Sequence, residues 1–282
     1  MHVAYLGPHG TFSEEAAMRY FAREEVTWTV CQTIPDVLEA VQRGDVTYGM
    51  VPIENSIDGS VTVALDGIFA APELFVCGEF VLPVQQMLLG LPETNLADVR
   101  EIWSIPPALA QCRQFLHRHG FPTRHFSSTA AAAKEIVASG RTDVAAIASA
   151  FAAKTFGLSI LHEQIQDADN NHTRFVIVRK GQVIPANADK TMLLVLPCAE
   201  YAGILATILN VFAAFHLNLS WISSRPTKTR LGTYQFAFDV EAGLEDPKMQ
   251  KAISILRTFD HQVRIVGTFP AWKWAHASNG DV

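Results

Sequence analysis

Charge is scarce in this chain, and no long Lys/Arg run occurs. Only 18% of its 282 residues are Asp, Glu, Lys or Arg, and the net charge is -6. Without a basic stripe the chain has no footprint for nucleic acid. Cys31, Cys77, Cys112 and Cys198 lie far apart, so neither a CxxC redox pair nor a zinc-type spacing occurs. A reduced cytoplasmic compartment fits that usage. His117 and His119 are two apart, a poor spacing for joint ligation on one helix, and no metal site is expected. No uncharged apolar run is long enough to span a membrane, and no basic leader with an apolar core is read at the start. The glycines form neither a three-glycine dinucleotide turn nor a Gly-Lys-Ser/Thr phosphate loop, and no nucleophile-elbow pattern is present.

What remains is a chain with 49% apolar residues, long enough for two domains. Its first part alternates short apolar strands with helices. Residues 3–6 read as a strand, and Thr11-Phe12-Ser13-Glu14 reads as a capping box, with Thr11 the cap. Thr33-Ile34-Pro35-Asp36 repeats the device, and residues 48–51 form the next strand. Gly59-Ser60 reads as the start of a helix through Val61, Leu65 and Ile68. Leu109, Cys112 and Leu116 form one helical stripe with Ser104 as its possible cap, and Cys112 belongs to the core. Residues 129–138 are Ala-rich and helical, and residues 144–148 return to strand. The alternation predicts α/β layers around a mainly parallel sheet.

A seam runs near residues 180–190. Beyond it the pattern predicts strand, helix, strand, strand, helix, strand. Ile204, Leu205, Ile208, Leu209 and Phe212 recur at helical spacing, and Tyr234, Phe236, Phe238 and Val240 alternate as a half-buried strand does. An antiparallel sheet with two helices on one face buries both sets.

Three polar runs stand at strand ends or helix starts. Asn171-His172-Thr173-Arg174-Phe175 places a hydroxyl beside a guanidinium ahead of an apolar strand. Thr173 and Phe175 face one way there and Arg174 the other. Thr173 can donate to a bound oxygen, or this can be an ordinary strand mouth with a salt-bridging Arg. His172 is peripheral by the same alternation. Gly7-Pro8-His9-Gly10-Thr11 joins a strand to a helix start, which suits a carboxylate or phosphate, or simply makes a tight turn with His9 solvated. Thr11 serves as cap, as ligand donor, or as both. In Val51-Pro52-Ile53-Glu54-Asn55-Ser56, Asn55 and Ser56 can satisfy carboxylate oxygens, while Glu54 is structural. Ser104 and Ser127-Ser128-Thr129 read first as caps and second as linings of an anion cleft.

In order and in type, these runs resemble prephenate dehydratase followed by an ACT regulatory domain, and the resemblance spans nearly the whole chain. It rests on Gly7 to Glu14, Val51 to Ser56, Asn171 to Phe175 and the later Ser224-Arg225-Pro226. No chorismate-mutase-like region precedes them, so the resemblance is to the monofunctional form. It implies an α/β catalytic region over residues 1–183, with two lobes like a periplasmic binding protein. A ferredoxin-like βαββαβ ACT domain over residues 190–272 follows. The implied reaction takes prephenate to phenylpyruvate, carbon dioxide and water in phenylalanine biosynthesis, without metal or organic cofactor. Thr173 matches the family's essential threonine, and Thr11, Asn55, Ser56, Ser104 and Arg174 are the implied substrate-binding residues. In the ACT part, Gly203, Ile204, Leu205, Asn218, Ser223 and Arg225 are the implied phenylalanine site. Phenylalanine is expected to inhibit, and a homodimer or homotetramer is expected. Three positions depart from the family pattern: Ile105 stands for the usual His, Pro107 for Gln and Ser223 for Glu. These keep two alternatives in view, an arogenate dehydratase and a non-catalytic sensor of aromatic metabolites.

Overall fold

The computed structural model describes residues 1–228 and 230–273. The chain forms two compact units, one from Met1–Ala64 with Val81–Phe175, the other from Leu65–Phe80 with the chain from Val176 onward.

The first unit holds two sheets. In one, strand His2–Leu6 runs parallel to both Thr27–Cys31 and Tyr48–Asn55. Helices Phe12–Tyr20 and Ile34–Arg43 make the crossovers, as the alternation predicts. Thr33 and Asp36 close a reciprocal capping box at the second helix. At the first helix only half of the expected box forms. Thr11 accepts from the Glu14 N–H, but the Glu14 carboxylate turns to the preceding loop instead.

The second sheet is mixed, which corrects the expectation of a mainly parallel one. Its order is Ser159–His162, Met87–Gly90, Val144–Ala148, Glu101–Ser104, Thr123–His125. The first two pairings are antiparallel and the last two parallel. The central strand Val144–Ala148 is buried along its whole length. Its alternate residues feed two cores. Val144, Ala146 and Ala148 pack with Leu89, Trp103 and Ile136, while Ala145 and Ile147 pack with Leu88, Ile102 and Cys112. Burial on both faces explains the continuous apolar run.

Two local expectations change. Gly59–Ser60 is a short strand paired with Glu54 and Asn55, and the helix begins at Thr62. The single stripe through Leu109, Cys112 and Leu116 is two helices, Pro106–Gln111 and Arg113–His119, broken at Cys112. The Gln111 carbonyl accepts from the Asp167 N–H at 2.7 Å, and the Asp167 carboxylate accepts from the Gln114 N–H at 3.1 Å. The break thus exchanges intrahelical bonds for bonds to Asp167. Ser104 caps neither helix; the residue at the N-cap is Ile105.

The second unit carries the predicted order from Lys190–Leu196 to Gln262–Phe269, with helices Ile204–Ala214 and Pro247–Thr258. Its strands pair antiparallel, and both helices bury their stripes in one core with Leu193, Phe236 and Phe238. Strand Gln262–Phe269 also runs parallel to the strand Leu74–Pro83, meeting it at Gly267 and Val76. A Cβ on Gly267 would lie 2.0 Å from the Val76 carbonyl oxygen, so that approach requires glycine. Among the described residues, no helix is long and apolar enough to cross a membrane.

Candidate active site

A cavity of about 360 Å³ lies in the first unit. Three helix starts reach it, Thr11 to Ser13, Ile105 to Ala108 and Ser127 to Thr129, together with Gly59 to Val61, the segment just ahead of helix Thr62–Ala70. The first N–H groups of a helix have no partner within it, so such ends carry positive potential toward an anion. The starts are not equivalent. Thr11 and Ser128 accept from backbone N–H groups of their own helices, as caps do. Ile105 makes no such bond, and the prolines at 106 and 107 have no N–H to offer. That wall, with Val61, Val84 and Ala108, is apolar.

The cavity is also lined by a chain of side-chain amides. The Asn55 carbonyl oxygen accepts from the N–H groups of Ile57 and Asp58, at 2.9 and 3.0 Å, which fixes which end of the amide is which. Its Nδ2 therefore donates, to Asn171 Oδ1 at 2.8 Å and to Thr173 Oγ1 at 3.0 Å. Asn171 Nδ2 donates in turn to Gln111 Oε1 at 3.0 Å, and Gln111 Nε2 to Asp58 Oδ2 at 3.2 Å. With Asn55 filling an acceptor position on Thr173, the threonine proton is left to donate to a bound molecule. Among the described residues lining the cavity, only Asp58 carries a charged side chain. An anion bound here is held by neutral donors and helix ends.

Just past the Thr11 to Ser13 helix start sits a buried carboxylate. Glu14 accepts from Tyr5 Oη at 2.6 Å, His9 Nδ1 at 2.7 Å and Gly10 N at 2.6 Å. Burial raises the carboxyl, but these hydrogen bonds and the His9 charge outweigh it and leave Glu14 below its ordinary value. Burial first, and the carboxylate second, push the Tyr5 phenol up. The Cys112 thiol is pushed up to about 12 by burial and stays protonated.

The sequence-predicted residues divide. Thr11, Asn55 and Thr173 meet at the cavity. The Thr11 hydroxyl is engaged twice, donating to the Leu6 carbonyl and accepting from Glu14 N–H, so what it offers a ligand is backbone. Ser56 is not a lining residue; it donates to Asn170 O and accepts from His172 N. Ser104 is fully buried and donates to Ile147 O at 2.7 Å. Arg174, next to Thr173, is not among the lining residues either. Gln111, Asn171 and Asp58 escaped the sequence reading as site residues. Asn171 opens the polar run that flagged Thr173, whereas nothing local marks Gln111.

In the second unit, Gly203 caps the helix Ile204–Ala214 with φ +95°, Ile204 is in its core, and Leu205 packs against that core. Asn218 Nδ2 donates to Glu241 Oε2 at 2.8 Å. Ser223 lies opposite Ala237, and Arg225 binds Asp66 Oδ1 through Nε at 2.9 Å and Nη2 at 2.8 Å.

Known proteins resemble this chain over nearly its whole length. A family model described as prephenate dehydratase matches residues 3–183. The prephenate dehydratase of Bacillus subtilis is 36% identical over 287 residues, covering 97% of this chain and 100% of that one. The solved prephenate dehydratase from Arthrobacter aurescens, in complex with L-Phe, is 34% identical. It covers 96% of this chain and 90% of its own, with a TM-score of 0.88. GqqA, described as a novel type of quorum quenching acylase, is 32% identical, with coverages of 97% and 99% and a TM-score of 0.87. With the motifs in order, the family model over most of the chain and a relative matched end to end, this chain belongs to the prephenate dehydratase family.

Proposed function

We propose that the chain is a carbon–oxygen lyase that converts prephenate to phenylpyruvate, carbon dioxide and water. The observation that carries the reaction is the Asn55 Nδ2 contact to Thr173 Oγ1 at 3.0 Å, which occupies an acceptor position and leaves the threonine proton to donate. The ring C–carboxylate bond breaks and its electron pair enters the ring as carbon dioxide leaves. The ring C–hydroxyl bond breaks on the opposite carbon, and the departing oxygen takes a proton from solvent to become water. Electrons and atoms balance without an external oxidant or reductant, and aromaticity is the driving force. Thr173 donates a hydrogen bond to the departing oxygen and polarises it; a threonine is too weak an acid for more to be asked of it. The two carboxylates of prephenate meet helix starts and amide N–H groups, and the apolar wall at Ile105 and Pro107 lies against the ring.

The acylase named for one neighbour is less well supported. Hydrolysis of an acyl amide calls for an activated nucleophile, and the described lining residues include no His, Lys or Cys to activate a hydroxyl. Purified protein incubated with prephenate, with phenylpyruvate followed against an enzyme-free control at the same pH, tests the reading; an N-acyl amide and arogenate form parallel arms. No phenylpyruvate above the control would overturn it.

Residues 1–183 are read as the two-lobed, periplasmic-binding-protein-like catalytic region of a monofunctional enzyme, and residues 190–272 as an ACT regulatory domain. The extent of the family model and the βαββαβ order support this division. Phenylalanine is the regulatory ligand in this reading, held near Gly203, Ile204, Leu205 and Asn218, with Ser223 and Arg225 on the following strand. The L-Phe complex of a relative supports it. Assembly as a homodimer or homotetramer and a cytoplasmic setting belong to the same reading. Loss of turnover on adding phenylalanine is the expected response, and phenylalanine-independent rates would remove it.

A further inference from the structure

The turn that brings Thr11 to the cavity is not held by its own residues. It is gathered around Glu14, which does not line the cavity. Only 3% of Glu14 is exposed. Its carboxylate takes three donors from two parts of the chain: Tyr5 in strand His2–Leu6, and His9 Nδ1 with the backbone N–H of Gly10 in the turn. Its own N–H donates to Thr11 Oγ1 at 3.3 Å, and Thr11 Oγ1 reaches back to Leu6 O at 3.2 Å. The turn is therefore tied to the strand before it and the helix after it through one side chain. Gly10 closes it from outside, with φ +84° and a Cβ position only 2.6 Å from the Phe156 ring.

A buried negative charge beside an anion site is unfavourable for binding, so its retention calls for a reason. The reason lies in the donor count. A carboxylate is acceptor-only and can take the Tyr5 hydroxyl, the His9 ring N–H and the Gly10 N–H together. A glutamine in its place would set its own NH₂ against one of these donors.

Resting on the prephenate reading above, we propose that Glu14 is a positioning residue for this reaction. It acts through the Gly10–Thr11 turn to hold the helix start of Thr11, Phe12 and Ser13 at the substrate carboxylate. Tyr5 acts through Glu14 and does not touch substrate. Thr173 is expected to govern kcat, whereas loosening this wall weakens substrate binding.

The test is steady-state kinetics of the full chain with prephenate, joined to amide hydrogen exchange over residues 8–14. Glu14→Gln should raise KM roughly 10-fold with a smaller change in kcat, because small misplacements of binding groups are costly. It should also speed exchange in the turn, while the strand Val144–Ala148 keeps its protection. Tyr5→Phe should give a smaller KM rise in the same direction and add nothing in the Glu14→Gln background. An unchanged KM in folded Glu14→Gln would overturn the proposal, as would additive effects in the double variant or unaltered exchange at the turn. A fall in kcat at constant KM would reduce Glu14 to a fold residue and overturn it equally. If Glu14→Gln does not fold, Tyr5→Phe decides by the same two readouts. Failure of the unsubstituted enzyme to consume prephenate would strike the activity reading, and the exchange data would still decide on Glu14.

Discussion

In the proposed reaction a threonine and an asparagine divide the chemical work between them. Thr173 would supply the proton end of a hydrogen bond, and Asn55, donating to Thr173 Oγ1 at 3.0 Å, leaves that proton for the cavity. Thr173→Ala should lower kcat about 10²–10⁴-fold, the range for loss of a transition-state donor. Asn55→Ala leaves the hydroxyl but not its orientation, and should cost roughly 10-fold or more. The double variant should be no slower than Thr173→Ala, because both changes remove the same interaction. Stopped assays of phenylpyruvate at saturating prephenate read all three. Asp58 works in the other direction, as the charged side chain among the described cavity residues. Asp58→Asn keeps an acceptor for Gln111 and removes repulsion of a dianion. KM should fall about 2–5-fold, matching the modest energy of an exposed charge pair, and an increase would mean that the substrate does not approach this loop. Thr173 and Asn55 were legible because polar residues at the mouths of apolar strands are conspicuous. The hydroxyl of Ser104 looked equivalent, yet it is spent on Ile147 O, a carbonyl 43 residues away. Gln111 was not legible at all, since its partners Asp58 and Asn171 come from distant parts of the chain.

Elements show the same contrast between local and distant causes. Helix Ile34–Arg43 was readable from four residues, because a capping box is closed within its own turn. Helix Phe12–Tyr20 carries the same signature, but its Glu14 is claimed by Tyr5 and His9, which lie outside the pattern. The helical stripe around Cys112 could not reveal its break, because Asp167 causes it. Helix Thr62–Ala70 depends on distant residues too. Arg264 donates to the carbonyls of Phe69 and Ala71, each at 2.7 Å, satisfying acceptors that a helix end leaves open. On the same helix, Asp66 takes Arg225 and Lys228. Burial pushes its carboxyl up, but hydrogen bonds from Lys228 and Arg225 outweigh that and hold it below its ordinary value. A carboxyl depressed by folding adds stability above its unfolded value and loses it as pH falls through the folded one. Wild type should therefore exceed Asp66→Asn by about 1 kcal/mol near neutrality, allowing for solvent screening. The gap should shrink below about pH 4. Urea titrations of both proteins across that range check it, and a gap that widens in acid would reverse the assignment.

On the scale of the whole molecule, the sequence seam and the packing do not fall in the same place. Composition puts a boundary near residues 180–190, and the family model ends at 183. Packing instead gathers Leu65–Phe80 with the chain from Val176 onward. Sequence order could not show this, because the strand Leu74–Pro83 pairs with Gln262–Phe269, far along the chain. Within that unit, Glu79, only 3% exposed, binds Lys190 Nζ at 2.5 Å and accepts from Trp272 N–H at 2.8 Å. A chain cut at residue 183 retains every cavity residue but removes Lys190 and Trp272 from Glu79, the parallel neighbour from Val76 and Arg264 from helix Thr62–Ala70. Removing the lysine of a buried ion pair and opening helix carbonyls costs several kcal/mol, against a total stability of about 5–15 kcal/mol. The shortened protein should therefore melt well below the full chain, by at least about 10 °C, and lose prephenate turnover in proportion to its unfolded fraction. Calorimetry and turnover measured on the same samples would check it. A truncated chain with the full chain's Tm would mean that residues 65–80 are held by the first unit alone. Loss of phenylalanine response in such a truncation would then report on regulation, whereas with a lowered Tm it reports on folding.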